Sequence, residues 1–293
     1  MNQAVLLLVN PFSGDKKGVS LAHKVKSFWK DIPFTKVISQ YPGHFHDYIL
    51  HESLGSYNVI CVIGGDGSMS EVLNALYVKQ EGPKPPVYLL PAGGGNALNH
   101  DLANLDFDIA LQKLGQLKTM KIDLLKLSLP TQTYYAFNMV GWGLVSDINQ
   151  SSERLRFLGG LRYTLGALLQ IVKNKVYAGE MWVGEELMTG PFSFGLFLNT
   201  IHTGKSMKMA PNALLDDGLM DILLVKHQSI FTLLKLFPKI FSGSHIGAKE
   251  LQYVQAKKVK VSGISMPLVV DGEVMGSCPF SIEVIPQAIE IVI

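Results

Sequence analysis

The chain has 293 residues, enough for one large domain or two modest ones. Hydrophobic residues make up 47% of it and charged residues only 17%, so a large core is expected and a disordered chain is excluded. Lys and Arg total 26 against 24 Asp and Glu and are scattered along the chain, which argues against a nucleic-acid-binding protein. The mean hydropathy of +0.22 leaves room for apolar surface that meets a membrane or an apolar ligand.

Cysteine usage and the N-terminus indicate a cytoplasmic protein. Cys61 and Cys278 lie in apolar contexts without metal or redox spacing, as in a reduced protein. No run approaches the ~20 apolar residues of a membrane span. The N-terminus is predicted to be a strand rather than a signal peptide, because Asn10-Pro11 breaks the apolar run early. Any membrane contact is therefore expected to be peripheral.

The first 120 residues or so alternate short apolar runs with helical spacing. The predicted strands are Ala4–Val9, Phe34–Ile38, Asn58–Ile63 and Val87–Leu90. The predicted helices are Val19–Trp29, Ser68–Tyr77 and Asn96–Ala103. Strands without polar alternation, separated by helices, are typical of an α/β domain with a doubly wound parallel sheet. Ligands in such sheets bind where strands end and helices begin.

After Lys121 the pattern changes to many short strands with Gly and Pro turns, which predicts a β-sandwich-like domain. The predicted strands are Asp123–Leu129, Tyr134–Val140, Val176–Val183, Phe192–Asn199, Met220–Val225, Val259–Val261, Leu268–Val270 and Phe280–Ile285. Helices over Glu153–Lys173 and Ser229–Phe241 interrupt them. We therefore divide the chain into an α/β domain over residues 1–121 and a β-rich domain over 122–293, whose last strand can return to the first domain.

A glycine turn, Gly64-Gly65-Asp66-Gly67-Ser68, follows a buried strand directly and opens a helix. Glycines let the backbone turn sharply and point several N–H groups at one anion, and the helix N-terminus adds its positive end. A carboxylate in such a turn repels phosphate unless a cation lies between them. Asp66 therefore implies Mg²⁺ or a proton-accepting role. The alternative is a tight strand-to-helix turn with Asp66 as its N-cap.

Two further turns have similar settings. Pro91-Ala92-Gly93-Gly94-Gly95-Asn96 also links a strand to a helix, and three consecutive glycines favour close approach to a ligand over simple looseness. Asn10-Pro11-Phe12-Ser13-Gly14 is the weaker signal, since such turns are common. Neither a P-loop nor a dinucleotide-binding glycine pattern occurs.

In order and spacing, these three turns, with Glu71-Val72-Leu73-Asn74 after the second, resemble the motifs of the diacylglycerol kinase catalytic domain family. The turn at Gly64 alone is shared with NAD kinases and phosphofructokinases. Ala210–Met220 and Asp271-Gly272-Glu273 resemble the second-domain motifs of the family, and Gly141–Asp147 with Ser152–Gly166 is similar to sphingosine and ceramide kinases. The resemblance implies an NAD kinase/phosphofructokinase-like fold and an ATP- and Mg²⁺-dependent lipid kinase, acting on a sphingoid base, ceramide or diacylglycerol.

The resemblance also implies a nucleotide site. Its residues would be Asn10, Pro11, Ser13, Gly14, Ser39, Gly64, Gly65, Asp66, Gly67, Ser68, Glu71, Gly93, Gly94, Gly95, Asn96, Arg156, Arg162 and Asp271. Arg156 and Arg162 would reach the ATP phosphates, which suits a chain without a P-loop lysine; the alternative is two solvated helix arginines. Gly94 stands where the family usually has Ser or Thr.

The lipid head group is expected near Asp147 and Asn149. Sphingosine kinases carry a second Asp where this chain has Asn149, and an amide cannot pair with an ammonium as a charge. Sphingosine is therefore in doubt as the substrate.

For the catalytic base, the resemblance offers Glu273 or Asp66, and we prefer Glu273, with Asp66 near Mg²⁺. On its own, Asp271-Gly272 predicts a hairpin turn. Asp216-Asp217-Gly218 likewise predicts a turn. In bacterial relatives the matching loop holds a structural Mg²⁺ through Asp217 and the carbonyls of Leu214 and Leu219, and oxygen ligands suit that ion.

Two apolar stripes at helical spacing follow. They are Leu161, Leu165, Leu168, Leu169 and Val172, and Ile230, Phe231, Leu234, Phe237 and Phe241. Each is typical of a core, but either can line an acyl-chain pocket, and Lys235 and Lys239 would suit a helix lying on an anionic bilayer.

The expected partners are therefore a lipid alcohol and, peripherally, a membrane, without nucleic acid; a homodimer is left open. Two rival functions remain at this point. One is a soluble kinase of the NAD kinase type, and the other is a lipid-binding pseudokinase, which Gly94 and Asn149 keep open.

Overall fold

The computed structural model describes residues 4–29, 32–79, 82–116, 118–155, 161–204, 206–263 and 266–293. The chain forms two compact units. The first unit comprises Met1–Ile122 and Gln287–Ile293, and the second comprises Asp123–Pro286. The last seven residues of the chain thus belong to the first unit.

The first unit alternates strands and helices. Its strands are β1 (Val5–Val9), β2 (Phe34–Ile38), β3 (Val59–Gly64) and β4 (Val87–Pro91). Its helices are α1 (Ser13–Lys16), α2 (Gly18–Phe28), α3 (His44–His51), α4 (Asp66–Val78), α5 (Ala97–Asp101) and α6 (Phe107–Lys113), followed by a 3₁₀ turn at Leu114–Gln116.

These strands form a parallel sheet in the order β2-β1-β3-β4. The end of β17 (Phe280–Val292) joins it in parallel beside β4, through Ile291 and Val87. Every residue of β1, β3 and β4 is buried, because helices cover both faces of the sheet and leave no polar alternation. The predicted doubly wound parallel sheet is confirmed.

The second unit is mainly β-structure. Its strands are β5 (Thr119–Ser128, which begins in the first unit), β6 (Thr133–Ala136), β7 (Met139–Gly143), β8 (Tyr177–Val183), β9 (Glu186–Leu198), β10 (His202–Thr203), β11 (Met207–Lys208), β12 (Met220–Lys226), β13 (Leu251–Ala256), β14 (Lys258–Gly263), β15 (Pro267–Val270), β16 (Glu273–Ser277) and most of β17. Its helices are α7 (Leu144–Arg154), α8 (Arg162–Lys173), α9 (Ile230–Leu236) and α10 (Lys239–Ser242).

The strands that pair with the long strand β9, namely β7, β8 and β12, are all antiparallel to it. Its first half pairs with β8, and its second half lies between β7 and β12. The strands enclose a core that includes Trp142, Phe192 and Phe197, and the Trp142 and Phe192 rings meet edge to face with centroids 5.7 Å apart. The predicted β-sandwich-like architecture is confirmed.

Two predicted elements of the second unit are wrong in detail. The single strand Tyr134–Val140 is two strands, β6 and β7, because the backbone N–H groups between them bond to a buried carboxylate described below. The single helix Glu153–Lys173 is α7 and α8, and α7 begins nine residues earlier than predicted, at Leu144. The left-handed residue Gly143 (φ 79°) turns the chain directly from β7 into α7.

The predicted helix Ser229–Phe241 is also shorter and divided. Ser229 caps α9, since its side chain accepts the Thr232 N–H, and Pro238 separates α9 from α10 because proline cannot continue a helix. Within the described residues, the structure contains no helix with the length and apolar character needed to span a membrane.

His245 provides a pH test of the second unit. Its imidazole is buried, with Nε2 3.1 Å from the Met209 carbonyl oxygen. Burial lowers the pKa of His245 below 6.5, although backbone hydrogen bonds at Met209 and Lys239 oppose the shift. The imidazole of His245 therefore binds a proton more readily in the unfolded chain than in the folded chain.

We predict that the stability contributed by neutral His245 is present above pH 6.5 and is lost as pH falls through the lower pKa of the folded state. The slope is at most about 1.4 kcal/mol per pH unit. Urea unfolding between about pH 5 and pH 8 should show a flatter dependence of stability on pH for His245→Gln than for the wild type. The exposed His23→Gln is the control and should keep the wild-type slope.

Candidate active site

Three loops lie at the carboxyl ends of β1, β3 and β4, and Asn10 joins the first of them to the second. Its Nδ2 donates to Ser68 Oγ at 2.9 Å, and its backbone N–H donates to the Ile63 carbonyl at 2.9 Å. Its Oδ1 accepts the Phe12 N–H at 3.0 Å. Ser68 is buried, so its hydrogen bond with Asn10 lies between the first and second turns, away from solvent.

The second and third turns meet backbone to backbone. A Cβ on Gly93 would lie 2.4 Å from Gly65 Cα, closer than real Cβ atoms approach. The Ala92 N–H donates to the Gly64 carbonyl at 3.0 Å, and Asp66 Oδ1 accepts the Ala97 N–H at 2.8 Å. Glycine is therefore required at Gly93 by the contact of the turns themselves, and a Cβ on Gly65 would make a tight contact, 3.0 Å from Gly93 Cα.

The first turn also packs on the third. A Cβ on Gly14 (φ 56°) would lie 2.3 Å from the Ala92 carbonyl oxygen. Ser13 is buried, and its N–H bonds to the Asn10 carbonyl at 3.3 Å, with Pro11 between them in the chain. The three turns predicted separately thus form one block.

The open side of the block is at Gly94. It is exposed, and a Cβ built on it would meet no atom within 4 Å. The neighbouring Gly93 and Asn96 are hydrogen-bonded to each other. The Asn96 side chain accepts the Gly93 N–H at 3.1 Å and donates to the Gly93 carbonyl at 2.8 Å. The following Gly95 is half-buried, and Gly67 lies in the first turn of α4.

Ser39 and Glu71 hold a loop beside this block. The Ser39 N–H donates to the Val9 carbonyl at 2.9 Å, and its hydroxyl donates to the Tyr41 carbonyl at 3.1 Å. Glu71 Oε1 accepts the N–H of Gly43 at 2.9 Å. Sequence reasoning missed Gly43, whose left-handed φ of 88° begins α3.

Glu273 stands at the start of β16, immediately after a two-residue hairpin turn. Asp271 (φ 48°) and Gly272 (φ 93°) are both left-handed, as the tight hairpin between Val270 and Glu273 requires. Glu273 itself is exposed. The hairpin that the Asp-Gly pair predicts is present, and it presents the Glu273 carboxylate at its end.

A buried carboxylate anchors this hairpin. Asp271 is only 5% exposed, and its oxygens accept the backbone N–H groups of Phe137, Asn138 and Met139 at 3.0–3.1 Å. Asn149 Nδ2 donates to the Gly272 carbonyl at 2.7 Å. Both side chains therefore position the turn before Glu273, and the nucleotide contact of Asp271 and the lipid contact of Asn149 stay predictions.

The carboxylate of Asp147 is paired with a lysine and accepts a tyrosine hydroxyl. Its Oδ2 lies 2.7 Å from Lys175 Nζ and accepts the Tyr177 hydroxyl at 2.6 Å. Burial, and then the hydrogen bond to Asp147, raise the pKa of Tyr177, which keeps its hydroxyl a donor. Sequence reasoning missed Lys175 and Tyr177, which follow the left-handed end of α8 at Asn174 (φ 45°).

In the loop predicted to hold a metal, two Asp side chains accept backbone N–H groups. Asp217 Oδ1 accepts the Leu219 N–H at 2.9 Å, and Asp123 Oδ2 accepts the Gly218 N–H at 2.6 Å. Asp217 and Leu214 are exposed, whereas Asp123 is fully buried. Among the described side chains, no group of three or more His, Cys, Asp or Glu could hold a metal ion. Ligation by Asp217 with the Leu214 and Leu219 carbonyls stays a prediction.

Of the two arginines expected at the phosphates, Arg156 lies outside the described residues. Arg162 begins α8, and its guanidinium lies 3.7 Å from Glu153 Oε1 and donates to the Tyr163 hydroxyl at 3.1 Å. The guanidinium also sits over the Tyr163 ring, 4.7 Å from its centroid. A phosphate contact would have to compete with these partners.

Comparison with known families matches both parts of the chain. Residues 4–127 match the model described as the diacylglycerol kinase catalytic domain. Residues 138–293 match the YegS C-terminal NAD kinase beta sandwich-like domain. Together the two matches include every predicted site residue.

Individual relatives agree with these matches. "Probable lipid kinase YegS-like" of Shewanella frigidimarina is 31% identical over 80% of this chain and 76% of that protein. Sphingosine kinase 1 of Arabidopsis thaliana is 25% identical over 86% of this chain. The alignment spans 63% of the plant protein, less than two thirds of its length.

Solved structures share the fold. A Bacillus anthracis structure superposes with a TM-score of 0.80 at 20% identity, covering 99% of this chain and 97% of its own. An NAD kinase from Archaeoglobus fulgidus, solved in complex with ATP, superposes with a TM-score of 0.53 at 11% identity, covering 99% and 94% of the two chains. The NAD kinase-like fold expected from the resemblance is confirmed.

The two glycines of the third turn should respond differently to the same substitution. Gly93→Ala should destabilise the first unit by about 1–3 kcal/mol, because its Cβ would collide with Gly65 Cα. Gly94→Ala should change stability by less than about 0.5 kcal/mol, because its Cβ meets no atom. Urea denaturation measures both, and a loss of stability in Gly94→Ala as large as in Gly93→Ala would contradict this account of the turn.

Asp271→Asn should destabilise the second unit by about 1–3 kcal/mol. One of the amide's two ends cannot accept a backbone N–H, so a buried donor loses its partner. Asp216→Asn, which changes the same charge at an exposed position, is the control and should remain within about 0.5 kcal/mol of the wild type. Thermal and chemical unfolding of both variants check this; equal stabilities would show that the carboxylate is not an anchor.

Proposed function

Because the chain belongs to the diacylglycerol kinase catalytic domain family of lipid kinases, we propose that it transfers the γ-phosphoryl group of ATP to a lipid hydroxyl. One observation carries the proposal: three glycine turns from three neighbouring parallel strands form a single block, with its open backbone at Gly94. This is the edge of a parallel sheet at which ligands bind.

The block suits a nucleotide phosphate. Backbone N–H groups near Gly94 and Gly95, and the N-terminus of the 13-residue helix α4, offer donors and a positive dipole end to an anion. Asp66 lies in the first turn of that helix and would hold Mg²⁺ through its carboxylate. Bound Mg²⁺ would offset the charge of the phosphates.

Glu273 is the proposed general base. It would take the proton of the lipid hydroxyl as that oxygen bonds to the γ-phosphorus and the bond to ADP breaks. The turn before it is held by Asp271 from inside and by Asn149 from α7, so the carboxylate has a defined position without being buried. Such positioning is what a base needs, since proton transfer depends on alignment as well as on pKa.

Among lipid alcohols, those with a neutral head group are the better fit. The resemblance puts Asp147 and Asn149 near the head group, and Lys175 already neutralises Asp147 at 2.7 Å. Asn149 offers an amide that donates to the Gly272 carbonyl. An ammonium would find no uncompensated carboxylate at these two positions, so diacylglycerol and ceramide are favoured over a sphingoid base.

The test is incubation with labelled ATP and Mg²⁺ in the presence of diacylglycerol, ceramide, sphingosine or NAD. A phosphorylated lipid supports the proposal, with diacylglycerol or ceramide ahead of sphingosine. ATP binding without transfer to any lipid would indicate a lipid-binding pseudokinase. Transfer to NAD alone would indicate a soluble kinase of the NAD kinase type.

Glu273→Gln should lower kcat for the phosphorylated lipid by about 10²- to 10⁴-fold, because the amide cannot accept the hydroxyl proton. ATP affinity should remain near that of the wild type, since Glu273 is exposed and is not among the predicted nucleotide contacts. The exposed Glu186→Gln is the matched control and should keep full turnover. Steady-state kinetics checks both, and normal turnover in Glu273→Gln would remove Glu273 as the base.

A further inference from the structure

Strand β2 lies at the edge of the parallel sheet and is covered less completely than the strands inside it. Every residue of β1 is buried, whereas Thr35, Lys36 and Ile38 of β2 are exposed. Helix α2 packs mainly against β1 and β3, the two strands next to the edge strand. A groove of about 470 Å³ remains between α2 and the first half of β2.

The groove combines basic and apolar side chains. Its basic groups come from His23 and Lys26 of α2 and from Lys36 of β2, all three of which are exposed. Positions three apart on a helix lie on one side of it, so His23 and Lys26 face the same space. The apolar part includes Ile32 and Phe34, which are half-buried against the core of the first unit. A ligand with an anionic group and an apolar body can therefore satisfy both parts of the groove.

The lysines of the groove are not neutralised by carboxylates. Among the described residues, neither Lys26 nor Lys36 is paired with an Asp or Glu, and no acidic side chain lines the groove. The neighbouring Lys24 differs, since its Nζ lies 3.2 Å from Oδ1 of Asp108 on α6. Two lysines on separate elements can each bind an oxygen of one phosphate, which lysines recognise as point charges.

We propose that this groove binds a small organic phosphate monoester. The phosphate oxygens accept hydrogen bonds from Lys26 and Lys36, with His23 beside them, and the apolar body of the ligand lies on Pro33 and Phe34. A phosphate monoester carries close to two negative charges at neutral pH, which matches two lysines better than a carboxylate does. The volume of the groove is within the range of about 300–1,000 Å³ that small-molecule sites occupy.

The groove is separate from the three glycine turns. Those turns follow the carboxyl ends of β1, β3 and β4, whereas Pro33 and Phe34 stand at the amino end of β2. Because these strands are parallel, their amino ends lie at the opposite end of the sheet from the turns. Binding in the groove therefore does not depend on nucleotide binding or on phosphoryl transfer.

The test is isothermal titration calorimetry of the full chain with hexyl phosphate, inorganic phosphate and 1-hexanol, in the absence of nucleotide and lipid. Hexyl phosphate should bind at least about tenfold more tightly than inorganic phosphate, since burial of about two CH₂ groups gives that factor. It should also bind more tightly than 1-hexanol, and added salt should weaken its binding. If hexyl phosphate does not bind, or binds no more tightly than either of the other two compounds, the proposal is wrong.

Two lysine pairs identify where hexyl phosphate binds. Lys26→Gln/Lys36→Gln should weaken its binding at least about tenfold, because two charge-assisted hydrogen bonds are lost. Lys16→Gln/Lys17→Gln removes two exposed lysines beside the first glycine turn and is the matched control, which should bind as the wild type does. All four positions are exposed, so wild-type unfolding profiles are expected. Wild-type affinity in Lys26→Gln/Lys36→Gln, or an equal loss in the control, would overturn the assignment, because the phosphate would then bind outside the groove.

Discussion

The contact between Gly65 and Gly93 is the constraint on which the candidate nucleotide site depends. Their backbones lie so close that a Cβ on Gly93 would come within 2.4 Å of Gly65 Cα. Parallel neighbours β3 and β4 end side by side, and only residues without side chains allow the turns that follow to touch. Asp66 and Asn10 then fasten the turns with hydrogen bonds, to Ala97 and Ser68 respectively.

Two adjacent glycines of the third turn have different structural roles. Gly93 is required by packing, whereas Gly94, the next residue, has open space around it. A ligand can therefore approach the block at Gly94 without the turns having to move apart. The packing also explains why a Ser or Thr would fit equally well at Gly94, where a Cβ meets no atom within 4 Å.

In the second unit the buried carboxylate of Asp271 fixes the position of a turn, as the contact between Gly65 and Gly93 does in the first unit. Asp271 gathers three consecutive backbone N–H groups, from Phe137 to Met139, and these are the residues at which β6 gives way to β7. Hydrogen bonds to an ionised acceptor are stronger than those between neutral groups, so the carboxylate can offset the break in strand pairing. The same bonds hold the turn before Glu273, which links a local irregularity of the fold to the proposed base.

The sequence alone was sufficient for the parallel sheet, the β-rich second half and the three turns. Buried parallel strands lose their polar alternation, and glycines mark sharp turns, so both leave a local pattern. The family resemblance added the prediction that the three turns contribute to one nucleotide site. The start of α7 was missed, because the chain enters this helix through a left-handed turn at Gly143 rather than through a capping pattern.

Only the tertiary structure decided which groups the side chains of the site residues contact. Glu71 bonds to Gly43, 28 residues away, and Asp271 to Phe137, 134 residues away. Asp147 is neutralised by Lys175, which no spacing within α7 could reveal. A short-range pattern specifies strands, helices and turns because these depend on neighbours in the chain. The partner of a buried or half-buried carboxylate depends on which distant strand or loop the fold brings beside it.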